Sequence, residues 1–172
     1  MNSNSNSNSN KLNIQSYYLR DATNDIVNSD IIELTTNICF MCCDNNLTGV
    51  QIMLNAANIF EPVPYYTYAR AIDCACLSGN VEIAKWLYIQ CPEYVFGGYI
   101  FMEVCVYGYS SVAIWMLNEH KFLLGIIDDT LLNEMYEGGH TDLTKNLISI
   151  LNETINSTNS NNDLITYLTE TV

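Results

Sequence analysis

The chain has 172 residues, 49% of them apolar, which is enough for a single domain with a substantial core. Six Lys and Arg stand against 19 Asp and Glu, a net charge of −13. So few cations weigh against nucleic acid as a partner, since Lys and Arg neutralising phosphates supply most of that affinity, and against anionic membrane surfaces for the same reason.

Alternating Asn and Ser follow Met1 as far as Asn10, a head over residues 1–10 with nothing to bury and expected to be disordered. It lacks the cationic start and apolar run of a secretory signal. No stretch reaches the ~18 apolar residues of a spanning helix. An intracellular, cytoplasmic location is therefore expected, with the seven cysteines, an odd number, as free thiols.

Residues 11–36 carry Leu12, Ile14, Tyr18, Ile26 and Val27, and then Ile31, Leu34 and Ile38 at helical spacing. A helix start is expected at Asn28-Ser29-Asp30. This segment reads as the N-terminal cap that a stack of repeats requires.

Four similar units follow, each an apolar helical stretch, a turn and a second stretch. Their turn residues are Asn45, Gly79, Gly108 and Gly139, spaced 34, 29 and 31 residues apart. Seven positions earlier stand Ile38, Ile72, Phe101 and Leu132. At −4 and −3 are Met41-Cys42, Ala75-Cys76, Val104-Cys105 and Met135-Tyr136. At +5 are Val50, Ala84, Ala113 and Thr144, and at +8 Met53, Leu87, Met116 and Leu147. Ile83, Val112 and Leu143 share the +4 place in the last three units. Glycine accepts positive φ without a Cβ clash, and Asn tolerates it better than other side chains do. Pro92 should stop the second helix of the Gly79 unit, and Asp128-Asp129 should cap the first helix of the last.

A helix-turn-helix unit at this period predicts an all-α solenoid of about four repeats, filling residues 11–155 with its cap included. Beyond it, residues 156–162 read as a polar linker. Asp163 is then expected to start a short helix over 163–172, with Leu164, Ile165 and Leu168 on one face.

The run from Ala71 to Leu87 is the most specific part of the pattern. Its small pair Ala75-Cys76, its Gly79-Asn80 turn and its Val81-Glu82-Ile83-Ala84 second helix resemble an ankyrin repeat. Lys85-Trp86-Leu87-Tyr88 is similar to the divergent ankyrin proteins expanded in giant DNA viruses, which would make the location a host cytoplasm. The resemblance covers residues 37–151. The family's Thr-Pro-Leu-His opening is missing: Arg70-Ala71-Ile72-Asp73 and Tyr99-Ile100-Phe101-Met102 stand there. Short loops are therefore expected in place of β-hairpin fingers.

Cys39-Phe40-Met41-Cys42-Cys43 contains a CxxC spacing, and Cys74 and Cys76 add two thiols, so a zinc site or redox pair is conceivable. Packing is the better reading. Cys42, Cys76 and Cys105 share the −3 place, where a thiol fits as a small hydrophobe. His140 follows a turn glycine and His120 ends a second helix, both structural positions. Trp86 and Trp115 share one slot and read as packing residues. Glu61, Glu93, Glu103, Asp128, Asp129, Glu134 and Glu137 are scattered over several units and read as a solvated acidic face. No catalytic residue, metal ligand or cofactor site is assigned.

Tyrosines cluster between the units: Tyr65, Tyr66, Tyr68, Tyr94, Tyr99, Tyr107 and Tyr109, with Phe96 among them. They serve either as an interface, for which tyrosine is favoured, or as packing between repeats. The ankyrin resemblance implies a partner-binding surface at Asp44, Tyr66, Ser78, Phe96, Tyr107 and Glu137. The expected function is a non-catalytic protein-interaction module, monomeric alone, for a neutral or basic protein partner. Its rivals are a self-associating structural component and a thiol- or zinc-dependent enzyme.

Overall fold

The computed structural model describes residues 29–170, with side chains from 29 to 156. The Asn/Ser head and residues 11–28 of the expected cap lie outside them. The elements are α1 (Ser29–Cys43), α2 (Leu47–Phe60), α3 (Tyr65–Leu77), α4 (Val81–Gln90), α5 (Gly98–Val106) and α6 (Ser110–Glu119). A 3-10 helix (Lys121–Ile126), α7 (Asp129–Glu137) and α8 (Thr141–Glu170) follow. The described residues contain no strand, and none of their helices is long and apolar enough to cross a membrane.

The four turns form for the reason the sequence gives. Among the described residues, the backbone takes positive φ at Asn45, Gly79, Gly108 and Gly139. At each, two hydrogen bonds close the end of the preceding helix. Asn46, Asn80, Tyr109 and His140 donate their N–H back to Met41, Ala75, Val104 and Met135 at 2.9–3.0 Å. The turn residues themselves donate to Cys42, Cys76, Cys105 and Tyr136 at 3.0–3.2 Å. This double closure is the Schellman motif, which satisfies carbonyls that a helix end leaves open. The next helix starts at once. Asn46 caps α2 by accepting from the Gly49 N–H at 2.9 Å, and Asp128 caps α7 by accepting from Leu131 at the same distance.

The helices pair as α1–α2, α3–α4, α5–α6 and α7–α8. Across the hairpins, α1 packs on α3, α3 on α5 and α5 on α7, so the first helices lie side by side in chain order; α4 also meets α6. The aligned positions supply the core. Ile38, Ile72 and Phe101 are fully buried, as are Cys42, Ala75, Cys76, Val104, Cys105 and Met135. So are Ile83, Ala84, Leu87, Val112, Ala113 and Met116. A large apolar side chain buried in this way contributes about 1.5–3 kcal/mol, and the alanines let neighbouring helices approach. In α2 the buried stripe is shifted by one residue, so Leu54 is buried and Met53 only half so. In the last described hairpin Tyr136, at the same −3 place, is 65% exposed.

Two boundaries differ from expectation. Residues 29–36 belong to no separate cap: they are the first half of α1, the first helix of the first hairpin. Residues 156–162 form no linker, and 163–170 do not make a separate helix, because α8 runs unbroken through 156–162 to Glu170; residues 171–172 lie outside the described residues. A polar composition reads as a loop, yet Thr141–Glu170 contains neither Gly nor Pro, and an existing helix extends at little cost until a breaker stops it.

Candidate partner-binding surface

Asp44, Ser78, Tyr107 and Glu137 stand at the C-terminal ends of α1, α3, α5 and α7. Because those helices lie side by side, the four residues fall along one edge of the molecule, beside the turns. Asp44 and Glu137 are exposed and Tyr107 is half-buried. Burial, then the Glu103 carboxylate beside it, raises the Tyr107 phenol above its ordinary value. Ser78 is half-buried and already engaged, its Oγ donating to Cys43 Sγ at 3.2 Å. Glu82 and Asp142, in the first turns of α4 and α8, add exposed negative charge to the same edge. Acidic side chains are favoured there by the helix dipole.

Tyr66 does not join this group. It sits at the start of α3, twelve residues before Ser78, or ~18 Å along the helix axis at 1.5 Å per residue. Its half-buried ring lies under the Arg70 guanidinium, 5.3 Å from the ring centroid.

Phe96, expected on the docking surface, lies in the core instead. Only 1% of it is exposed, so it belongs to no docking surface. Its ring stacks on Tyr88 at 5.6 Å and meets Trp115, His120 and Tyr94 edge-on at 5.1–5.2 Å. Tyr94 is buried beside it and donates its hydroxyl to the Asp73 carboxylate. The connection over 91–97 thus folds inward and packs its aromatics between the second and third hairpins. Tyr65 and Tyr99, about half-exposed, remain on the outside.

The other singled-out residues have structural surroundings. His120 is the C-cap of α6 within that aromatic cluster, its Nε2 3.4 Å from the Tyr88 hydroxyl. Trp115 is buried and donates to Glu119 at 3.2 Å, while Trp86 is half-buried. All seven cysteines are free thiols. Burial pushes the Cys105 thiol up to about 12 and raises Cys42 further, with Cys39 and Cys43 adding to the effect there. Among the described residues, no group of three or more His, Cys, Asp or Glu is arranged to hold a metal ion.

One relationship along the edge had no signal in composition. The residue after each of the last three turn residues reaches back to the preceding turn. Asn80 Nδ2 donates to the Cys42 carbonyl at 2.5 Å. The Tyr109 ring covers Gly79, and the His140 ring covers Gly108. The edge is therefore a series of interlocked turns. The chain matches no known family model, no curated protein and no solved structure.

Proposed function

We propose that the chain is a non-catalytic protein-interaction module, an ankyrin-like solenoid of four repeats that binds a neutral or basic protein through its turn edge. The observation that carries this reading is the alignment of the four turns along one exposed, interlocked edge bearing Asp44, Tyr107 and Glu137. The register of Asn45, Gly79, Gly108 and Gly139, with first helices packed in chain order, supports the repeat architecture. The acidic edge supports the charge of the partner, since complementary fields speed encounter and set specificity.

The test is capture of partners from the cells that make the protein, using the full chain and a triple variant, Asp44→Lys, Tyr107→Ala and Glu137→Lys. A protein retained by the native chain should be lost by the variant. It should also be released at about 1 M salt, where the Debye length shrinks to about 3 Å. Equal retention by both chains, or indifference to salt, overturns the reading.

A second reading, self-association, has one observation in its favour: Ile59 and Phe60, at the end of α2, are 78% and 89% exposed. Sedimentation over a range of concentrations separates the two, because the interaction module stays monomeric alone.

A further inference from the structure

The contact between α1 and α3 gathers three sulfurs that the CxxC spacing does not predict. Cys39 and Cys43 stand four residues apart on α1, one helical turn, and so share a face. Opposite them α3 presents Arg70, Cys74 and Ser78, also four apart. Cys39 Sγ donates to the Arg70 carbonyl at 3.7 Å, and Ser78 Oγ donates to Cys43 Sγ at 3.2 Å. Cys74 stands between Arg70 and Ser78 on the same face of α3, so it lies between those two contacts, and the neighbouring Cys39 and Cys43 thiols, together with burial, hold its own thiol well above the ordinary value. Cys74 is 1% exposed, whereas Cys39 and Cys43 are half-buried and reachable from solvent.

We propose that Cys43 and Cys74 form an oxidisable pair, which a hydroperoxide closes into a disulfide that staples α1 to α3. Cys43 is the attacking member because the Ser78 hydroxyl donates to its sulfur and stabilises negative charge there. Cys39 instead donates its own S–H to a backbone carbonyl. In the first step the Cys43 thiolate attacks a peroxide oxygen. An S–O bond forms, the O–O bond breaks, and the departing oxygen takes a proton to leave as water or an alcohol. In the second step the Cys74 sulfur attacks the resulting sulfenic acid. The S–S bond forms, the S–O bond breaks, and the hydroxyl leaves as water with the Cys74 proton. The sulfurs lose two electrons and the peroxide gains them.

The closed loop runs from the end of α1 through the whole of α2 into α3. Tying the first hairpin to the next removes freedom from the unfolded chain, so the oxidised protein melts at a higher temperature.

The test treats the full chain with hydrogen peroxide, unfolds it, and counts remaining thiols with a maleimide beside a thermal melt. The expected result is loss of two of the seven thiols, no covalent dimer and a melting temperature several degrees higher, all reversed by dithiothreitol. Cys43→Ser, at a half-buried position that leaves the core intact, should abolish the loss, while Cys39→Ser should preserve it. Seven thiols surviving in the native chain, or a bridge that persists in Cys43→Ser, overturns the proposal.

Discussion

The imidazole of His140 lies against the α-carbon of Gly108, one hairpin earlier, so closely that a β-carbon at 108 would overlap the ring. Gly108 therefore meets two demands at once, positive φ and absence of a side chain. Gly139 meets only the first, since among the described residues nothing lies within 4 Å of where its β-carbon would be.

The difference is measurable by chemical denaturation. Gly139→Ala should cost about 1–2 kcal/mol, the strain of a left-handed residue. Gly108→Ala should cost about 3 kcal/mol, because overpacking adds about 1–3. Adding His140→Ala to Gly108→Ala should recover part of the loss. No recovery in the double variant would mean that the ring is not what opposes the methyl group.

Asn45 holds the same backbone conformation with a side chain, at φ 56°. Asn45→Gly should stabilise the protein by up to about 1 kcal/mol and Asn45→Ala should destabilise it by a similar amount. A stability order in which Ala exceeds Gly would contradict the turn assignment.

The register of the second helices is open to a sharper test. Ala84 is completely buried in α4, and Ala84→Glu places an unpaired carboxylate there, which should unfold the domain as judged by circular dichroism. Tyr66→Ala removes a half-buried ring with an Arg70 contact and should cost no more than about 1 kcal/mol.

Asp73 makes stability depend on pH. Burial raises its carboxyl from 3.8 to about 6, against the lowering effects of the Tyr94 hydrogen bond and the Arg70 charge. Between those values the native state holds a proton that the unfolded chain has released. This contribution is therefore most favourable below pH 4 and is lost as pH rises through 6. A shift of this size, discounted for partial exposure, is worth about 1–2 kcal/mol. Asp73→Asn should gain that amount at pH 7 relative to pH 4 in urea titrations. A native–variant difference that stays constant with pH would rule the effect out.

What the sequence made legible was local. Positive φ needs Gly or Asn, and the spacing of four such residues gave the hairpins and their buried faces, with the helix stop before Pro92 and the cap at Asp128 read from those residues themselves. Contacts between neighbouring units were not legible in the same way. Phe96 sits in a connection with no periodicity to indicate its facing, so an aromatic that packs inward reads the same as one that points outward. Cys43 and Cys74 come to the same helix contact only because α1 and α3 are neighbours, and the CxxC spacing drew attention to Cys42, which is buried elsewhere. The continuity of α8 was hidden by composition, since Asn and Ser favour loops without forbidding a helix. Of the six residues assigned to a docking surface, those at the turns share an edge, and those placed by the connections do not.

Each of the first three turns is roofed by a side chain from its successor, by Asn80, Tyr109 and His140 in order, and among the described residues nothing covers Gly139. The overlap runs like tiles laid in one direction, which gives the row a polarity that its near-repetition conceals. Fraying should begin at the uncovered C-terminal tile, with amide exchange in α7 and the start of α8 outpacing that in α3 and α5.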